Sequence, residues 1–239
     1  MDKIEFIKNH IEKLDIEISE VQCNQFLKYY EMLVEKNKVM NLTGITEFEE
    51  VVDKHFVDSL SLVKSIKLNG NESLIDVGTG AGFPGIPIKI MFPNLHITLI
   101  DSLNKRLLFL NEVITQLKLS EIELVHGRAE DLGKNLKYRE KYDLCVSRAV
   151  ANISTLSEYC IPFIKLNGYF ISYKADGCVD EINAGKKSIN LLGGEIEKIV
   201  DFNLPDTEIK RKIINIKKKK NTPKGYPRKP GLPSKEPIM

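Results

Sequence analysis

A cluster of glycines follows a short apolar run in the first half of the sequence. Residues 73–90 read SLIDVGTGAGFPGIPIKI, with glycines at Gly78, Gly80, Gly82 and Gly85. Glycine permits positive φ and lets a ligand approach the backbone without a Cβ in the way. Pro84 suits the first turn of a helix, whose free N–H groups favour an anionic group nearby. The stretch therefore predicts a binding loop between a strand and a helix.

Two cofactors compete for this loop. Residues 80–85 match G-x-G-x-x-G, the dinucleotide fingerprint, but the first glycine of that fingerprint directly follows its strand. Here Gly78 is nearest the strand, and reading from it gives G-x-G-x-G after an acidic residue, Asp76. This register is similar to the first motif of the Rossmann-like S-adenosylmethionine methyltransferases. It favours adenosylmethionine, with an NAD(P)-binding oxidoreductase as the alternative.

Charged residues follow the later apolar runs. Asp101 ends HITLI, about twenty residues past the glycine loop, where a carboxylate can accept hydrogen bonds from ribose hydroxyls. Asp101 or Ser102 could instead only cap the next helix. Arg128 and Arg148 also follow predicted strands, so they should reach the same edge of the sheet, where ligands bind in open α/β folds. Surface ion pairs are the alternative for these two arginines.

The elements around these residues alternate in type after the turn at Asn69-Gly70. Strands are predicted at 73–77, 96–100, 121–125, 142–147, 169–174, 195–202 and 212–216, and helices at 84–91, 102–117, 154–164 and 179–192. This alternation indicates a parallel sheet covered by helices on both faces. The last two strands lack a crossover helix and should pair as an antiparallel hairpin. The prediction is a Rossmann-like α/β fold, with a mostly parallel seven-stranded sheet and an antiparallel last strand.

Three segments are predicted along the chain. Residues 1–68 carry apolar residues at helical spacing and should form an N-terminal helical segment. Residues 69–220 should form the adenosylmethionine-binding domain. Residues 221–239 contain five prolines, which exclude a helix interior and favour an extended path. These last residues are predicted to form a basic, proline-rich C-terminal tail.

The formal net charge of +2 hides an uneven distribution. Eleven of the 35 Lys and Arg residues lie between Lys210 and Lys235, without a single Asp or Glu, so the rest of the chain has 24 bases and 33 acids. A segregated basic segment suits a partner with phosphates, and Tyr226 offers a surface for base stacking. A tail that only aids solubility is the alternative. The candidate RNA contacts are Lys217, Lys218, Lys219, Lys220, Lys224, Tyr226, Arg228 and Lys229.

The composition excludes several classes of protein. The four cysteines form no C-x-x-C pair, which argues against a zinc site or a disulfide framework. The first residues lack the apolar core of a secretory signal. No apolar run approaches the roughly 18 residues of a membrane helix. We therefore expect a cytoplasmic protein without metal or membrane contact, and a monomer.

Seven motifs, spread over nearly the whole chain, carry a resemblance to a known family. They are NLTGIT at 41–46, HFVDSL at 55–60, DVGTGAGFPGIP at 76–87, IDSLNKRLLFL at 100–110, HGRAED at 126–131, VSRAVA at 146–151 and YPRKPGLPSKEPI at 226–238. In combination they resemble the RsmG (GidB) family of 16S ribosomal RNA guanine-N7 methyltransferases. The resemblance implies methylation of one guanine in the decoding-region loop of 16S rRNA, in the small subunit or its precursor.

The resemblance also implies where the cofactor is bound. By matching motif, the contacts fall on Gly78, Phe83, Ala129, Glu130 and Arg148, with Asp101, Ser102 and Leu103 near the ribose.

The residues after the fourth predicted strand bear on the acceptor atom. The loop reads SRAVA at 147–151, which is neither the Asn/Asp-Pro-Pro-Tyr-like loop common for amine acceptors nor a cysteine nucleophile loop. Guanine N7 has no proton to remove, so a site without a general base suits it, and we assign no catalytic residue. His55 and Asp58 could form a polar pair near the site, although a bond within their helix is the simpler expectation. A methyltransferase acting on a small molecule or protein, or a ribosome-assembly factor, are further alternatives.

Overall fold

The computed structural model describes residues 2–238, which contain one seven-stranded sheet between two helical layers. The strands are β1 Ser73–Val77, β2 His96–Asp101, β3 Ile122–His126, β4 Tyr142–Arg148, β5 Ile164–Ala175, β6 Gly194–Asn203 and β7 Lys210–Lys218. Their order is β3-β2-β1-β4-β5-β7-β6. The first five strands pair in parallel, and β7 lies antiparallel to both β5 and β6. The predicted sheet and its antiparallel last strand are confirmed.

Helices precede, connect and follow these strands. They are α1 Lys3–Glu12, α2 Glu20–Met40, α3 Phe48–Val51, α4 Asp58–Leu60, α5 Gly85–Met91, α6 Asn104–Gln116, α7 Ala129–Leu132, α8 Ile153–Cys160, α9 Val179–Leu191 and α10 Leu232–Lys235. A π-helical turn, Val52–Val57, joins α3 to α4. A turn of this kind is rare and frequently lies at a functional site.

The helix after β4 is shorter than predicted. It ends at Cys160, and a 3₁₀ turn, Ile161–Phe163, leads directly into β5 at Ile164. Pro162 explains the difference because it has no N–H to continue the helical hydrogen bonds. Strand β5 is therefore longer than the predicted 169–174, and the topology of the sheet is unchanged.

The N-terminal helices cover one face of the sheet, and α8 and α9 cover the other. On the first face Phe26 and Phe56 pack at 4.9 Å between ring centroids, and both are fully buried. They belong to the same apolar cluster as Leu74 of β1 and Leu99 of β2. Burial of parallel strands on both faces is the usual condition for such sheets. The predicted helical segment is thus one layer of the α/β core.

The C-terminal tail is docked on the body rather than extended into solvent. Arg139 donates to the carbonyl oxygens of Thr222, Pro223 and Tyr226 at 2.7 to 3.3 Å. Pro227 and Pro233 are buried.

Within residues 2–238, no helix has the length and apolar character required to cross a membrane. The same residues contain no cluster of three or more His, Cys, Asp or Glu side chains suited to a metal ion.

Candidate active site

The glycine loop leaves β1 at its carboxyl end and leads into α5. Gly78, Gly80 and Gly82 have φ of +73°, +62° and +105°, values that favour a residue without a Cβ. The N–H groups of Gly78 and Thr79 donate to the Ile100 carbonyl at 3.0 and 3.1 Å. These bonds tie the loop to the end of β2. The strand–loop–helix arrangement expected from the sequence is present.

A fully buried carboxylate, Asp76, organises the inside of the loop. Its Oδ2 accepts hydrogen bonds from Thr79 Oγ1 at 2.7 Å and from the Gly85 N–H at 2.9 Å. Burial raises the pKa of Asp76 from 3.8 to about 7, and the two hydrogen bonds oppose that rise. A Cβ at Gly85 would lie 2.3 Å from Leu99, so glycine is required for the close approach of α5. Asp76 shapes the loop from beneath.

Asp101 fixes the adjoining strand end. Its Oδ2 accepts from the Gly80 N–H at 2.9 Å and from Arg106 Nη1 at 3.2 Å, while Oδ1 accepts from the Leu103 N–H at 2.8 Å. The carboxylate therefore both orders the turn into α6 and holds the glycine loop. It also lines the two cavities above the loop, and it does not cap α6, whose N-cap is Leu103 and has no side-chain cap bond.

Two adjoining cavities lie over the strand ends. The first, of about 230 Å³, extends over the ends of β2 and β3 and is lined by Ala129 and Glu130 among others. The second, of about 410 Å³, lies over the glycine loop and is lined by Phe83 and Arg148 among others. Both share Gly78, Asp101, Ser102 and Val150. Leu103 lines neither cavity and is 43% exposed, which leaves only its N–H group in the site.

Gly78 stands where the two cavities meet. A Cβ there would lie 2.7 Å from Val150 Cγ2, so a side chain at position 78 would fill the passage between them. The joined cavities have the size range of small-molecule sites. They could hold an elongated ligand that extends from Glu130 past Asp101 to the glycine loop. This is the shape of the cofactor expected from the sequence.

Arg148 is held by the N-terminal layer. Its Nη1 donates to Asp58 Oδ2 at 2.7 Å and to the Lys54 carbonyl at 2.9 Å. The other oxygen of Asp58 accepts from Arg211 Nε at 2.9 Å. The Arg148 guanidinium also lies 5.1 Å above the Phe83 ring, within cation–π range. The Asp58 carboxylate is therefore shared by two guanidinium groups, while the Asp58 backbone N–H donates to the His55 carbonyl within the helix.

His55 completes this cluster as a neutral side chain. Burial, together with the positive charge of Arg148, lowers its pKa from 6.5 to about 3. Nδ1 lies 3.2 Å from Arg148 Nη2 and Nε2 lies 2.8 Å from Thr43 Oγ1. Nδ1 also lies 3.1 Å from the Lys54 carbonyl oxygen. The ring stacks on Phe83 at 4.5 Å between centroids.

A third cavity of about 400 Å³ opens beside this cluster and shares His55, Arg148 and Ala149 with the second. Its lining includes the cationic side chains Lys54, Arg148, Lys174 and Arg211. Lys54, Lys174 and Arg211 were not predicted from the sequence, whereas the bond within the helix expected for His55 and Asp58 is present between their backbones. The NLTGIT and HFVDSL motifs pointed to the N-terminal part of this cavity, which includes Ile45, His55 and Asp58. Nothing local in the sequence marks Lys174 and Arg211 as members.

The basic residues proposed for RNA binding divide into two groups. Lys218 is 1% exposed and donates to the Ile161 carbonyl and Thr222, and burial lowers its pKa to about 8. Arg228 is paired with the buried Glu158 at 2.7 Å. These two have structural partners and are withdrawn from the set of phosphate contacts. Tyr226 is partly buried against the core, so its ring is not a free stacking surface.

The remaining lysines lie on the surface. Lys217 and Lys219 pair with Glu197 and Glu195 on β6. Lys220, Lys224 and Lys229 are exposed, and no ion pair to them occurs among residues 2–238. These three remain candidates for phosphate contact.

The sheet order, the glycine loop after β1 and the joined cavities over the strand ends define a Rossmann-like fold of the methyltransferase type. A methyltransferase from Pyrococcus furiosus has this fold, with a TM-score of 0.57 and 16% identity over 82% of this chain and 99% of that one. TYW2 from M. jannaschii, solved in complex with AdoMet, gives 0.51 and 13% over 67% and 76%. At residues 22–213 the chain matches the GidB family profile, described as rRNA small subunit methyltransferase G. The chain belongs to this family.

Relatives in several bacteria align over the full chain. Ribosomal RNA small subunit methyltransferase G of Lachnoclostridium phytofermentans is 50% identical over 100% of this chain and 98% of its own length. The protein of the same description from Alkaliphilus oremlandii is 50% identical over the whole of both chains. The chain is an adenosylmethionine-dependent rRNA methyltransferase, and the NAD(P) alternative is wrong.

Proposed function

We propose that this enzyme transfers a methyl group to N7 of a guanine in the decoding-region loop of 16S rRNA, in the small subunit or its precursor. The third cavity is the proposed acceptor site because it adjoins the second cavity at Arg148. The observation that carries the proposal is the donor-rich lining of that cavity by Lys54, Lys174 and Arg211. Guanine presents only acceptors, N7 and O6, on its major-groove edge, whereas adenine adds an N6 donor.

The groups that could act as a base are already engaged. Asp58 accepts from Arg148 and Arg211, and His55 Nδ1 contacts Arg148 Nη2 and the Lys54 carbonyl oxygen. A carboxylate held by two guanidinium groups is a weak proton acceptor, because both cations favour its ionised form. Guanine N7 has a lone pair and no proton to lose. A site with donors and without a free base therefore suits N7 better than an exocyclic amine.

The residues of the site act by position. When bound, adenosylmethionine would supply a methyl group on a sulfonium, which a nitrogen lone pair would attack in line while adenosylhomocysteine leaves with the electron pair of the C–S bond. Gly78 and Asp101 hold the cofactor side of the site, and the Arg148–Asp58 pair fixes the boundary with the acceptor side. Lys174 and Arg211 can donate to guanine O6 and orient the base. N7 is inaccessible in an A-form helix, so the guanine must be unstacked to enter.

The test uses small-subunit particles from cells that lack this protein. The purified enzyme is incubated with these particles and adenosylmethionine carrying a labelled methyl group, and the labelled nucleoside is identified by mass spectrometry. We expect the label in 7-methylguanosine of the small-subunit RNA, and none with Gly78→Asp, which places a side chain between the two cavities. Label in another nucleoside would overturn the N7 assignment. Absence of label, despite measured cofactor binding, would overturn the proposed substrate.

A further inference from the structure

The first cavity has a wall that does not come from the strand ends. On the side facing Asp101 and Ala129 it is bounded by Gly231 and Ser234 of the C-terminal segment and by Tyr159 of α8. The sequence motifs of the cofactor site include none of these three residues. The C-terminal segment, residues 226–238, therefore contributes to the cavity in which the nucleoside part of the cofactor fits.

Buried polar contacts with α8 hold this segment in place. Arg228 binds the Glu158 carboxylate through Nη2 at 2.7 Å and Nε at 3.0 Å, and its backbone N–H donates to the same carboxylate at 2.6 Å. Glu158 is 1% exposed, so the pair is shielded from solvent. Thr155 Oγ1 donates to the Pro233 carbonyl at 3.0 Å. A buried, bidentate pair of this kind is geometrically specific, which fixes the segment over the cavity.

A hydrogen bond links this wall to the opposite side of the cavity. The Gly231 N–H donates to Glu130 Oε1 at 2.8 Å, and Glu130 is 4% exposed. Glu130 follows Ala129 at the carboxyl end of β3, on the cofactor side. Ser234 Oγ donates to the Gly231 carbonyl at 3.0 Å, which holds the Ser234 side chain at the cavity. Any ligand in the first cavity therefore lies beside a C-terminal segment that is hydrogen-bonded to Glu130 in the same cavity lining.

We propose that Gly231 and Ser234 of the C-terminal segment form part of the cofactor site and enclose the nucleoside, with Glu130 joining the segment to the strand ends. The inference rests on adenosylmethionine as the cofactor and is independent of the acceptor base. Because ligand binding and a structural equilibrium that it contacts are linked reciprocally, cofactor binding stabilises the docked segment. Loosening the segment weakens cofactor binding by the same factor.

The first test is hydrogen–deuterium exchange of the full-length protein, with and without saturating adenosylhomocysteine as the probe. Saturation is set beforehand by calorimetry. We expect exchange in peptides from 226–238 to slow by about tenfold or more, together with peptides of the glycine loop. Adenosine should protect the segment, and methionine should not, because only the nucleoside occupies the first cavity. Protection of the glycine loop without any change in 226–238 would overturn the proposal.

The second test places a large side chain on the wall without disturbing the core. Ser234 is exposed at the cavity edge and Lys235 is its exposed neighbour outside the lining, so Ser234→Phe and Lys235→Phe are matched in size and position. We expect Ser234→Phe to raise the Kd for adenosylhomocysteine about tenfold or more, and Lys235→Phe to change it by less than about twofold. Melting temperatures of both variants should stay near that of the parent. Equal Kd values for Ser234→Phe and the parent protein would refute the enclosure.

Discussion

Arg148 and Asp58 lie 90 positions apart in the chain, and their side chains meet at 2.7 Å between Nη1 and Oδ2. Arg148 ends β4, and Asp58 begins α4 directly after the π-helical turn. The two side chains are 12% and 6% exposed, so solvent screens their attraction little. The pair joins the N-terminal layer to the strand end at which the cofactor and acceptor cavities meet. The helical segment before residue 69 therefore lines the proposed active site.

Replacing Asp58 by Asn should slow methyl transfer while leaving cofactor affinity nearly unchanged. The Asn amide has the size of the carboxylate, but its NH2 group faces one of the two guanidinium groups and cannot accept from it. Hydrogen bonds to a charged group, worth roughly 1.5–3 kcal/mol each, are therefore lost. We expect kcat/KM for methyl transfer to fall between about 30-fold and 1,000-fold. The Kd for adenosylhomocysteine should change by less than about threefold, because Asp58 lines only the third cavity.

Asp53→Asn is the matched control for this variant. Asp53 lies one turn earlier and binds His10 at 2.6 Å, but it lines none of the three cavities. It should keep the parent rate of methyl transfer, measured well below the melting temperature of both variants. A parent-like rate for Asp58→Asn would show that the shared carboxylate has no role in positioning.

Gly78→Ala should weaken cofactor binding more than it weakens the fold. At φ +73° an L-residue costs roughly 1–2 kcal/mol, and its Cβ would lie 2.7 Å from Val150 Cγ2. Gly177 has a similar φ of +79° with no atom within 4 Å of its Cβ position, so Gly177→Ala carries the strain alone. We expect Gly78→Ala and Gly177→Ala to lower the melting temperature by similar amounts. Only Gly78→Ala should raise the Kd for adenosylhomocysteine, by about tenfold. Equal cofactor affinities would place the passage between the cavities elsewhere.

The local part of the site could be predicted from the sequence because it depends on neighbours along the chain. The apolar runs set β1 and β2, and the glycines set the turn after β1. Asp101 was placed correctly because the carboxyl ends of adjacent parallel strands meet at one edge of the sheet. The hairpin of β6 and β7 followed from a connection too short for a helix. These features follow from periodicity and connection length.

The rest could not be predicted because it depends on contacts between distant residues. Arg211 reaches Asp58 across 153 positions, and Gly231 reaches Glu130 across 101. The run of four lysines at 217–220 is uniform in sequence, yet Lys218, the last residue of β7, is buried, and Lys220, beyond the strand, is exposed. The place where β7 ends and the packing of Lys218 against Ile161 and Thr222 decide this difference. The proline-rich tail likewise has the composition of a solvated segment, and only its docking shows that it forms a wall.

Removing the charges of Lys220, Lys224 and Lys229 together should reduce the salt dependence of RNA binding. Each phosphate contact contributes about 0.7–0.9 to the slope of log K against log salt. The triple alanine variant should therefore lose about 2 to 3 from that slope if all three lysines contact phosphate. Binding to small-subunit particles is measured over a range of salt concentrations.

The control is the triple alanine variant of Lys186, Lys187 and Lys198. These lysines are exposed on α9 and β6, and the change in net charge is the same. Its slope should equal that of the parent protein. An equal reduction for both variants would mean that net charge, rather than the three C-terminal lysines, governs RNA affinity.

Asp76→Asn should change how stability depends on pH. The folded-state pKa of Asp76 is raised from 3.8 to about 7 by burial, so between these values the folded protein holds a proton that the unfolded chain has released. The Asp76 contribution to stability is therefore greatest below pH 3.8 and declines as the pH rises to about 7. Asn does not titrate and removes that decline. Denaturant unfolding measures the free energy of unfolding across this range. Relative to the parent, that of Asp76→Asn should increase as the pH rises, by a total on the order of 4 kcal/mol.

Asp143→Asn provides the opposite sign when the same measurement is extended below pH 3.8. Burial of Asp143 opposes its ionisation, but hydrogen bonds from Lys165 and Ser73 outweigh burial and lower its pKa. Stability from Asp143 is present above its ordinary pKa of 3.8 and is lost as the pH falls through the lowered value. The free energy of unfolding of the Asn variant should therefore fall relative to that of the parent as the pH rises through this acidic range. If Asp76→Asn instead followed the same direction as Asp143→Asn, Asp76 would be ionised in the folded loop, and its unpartnered Oδ1 would bear a buried negative charge.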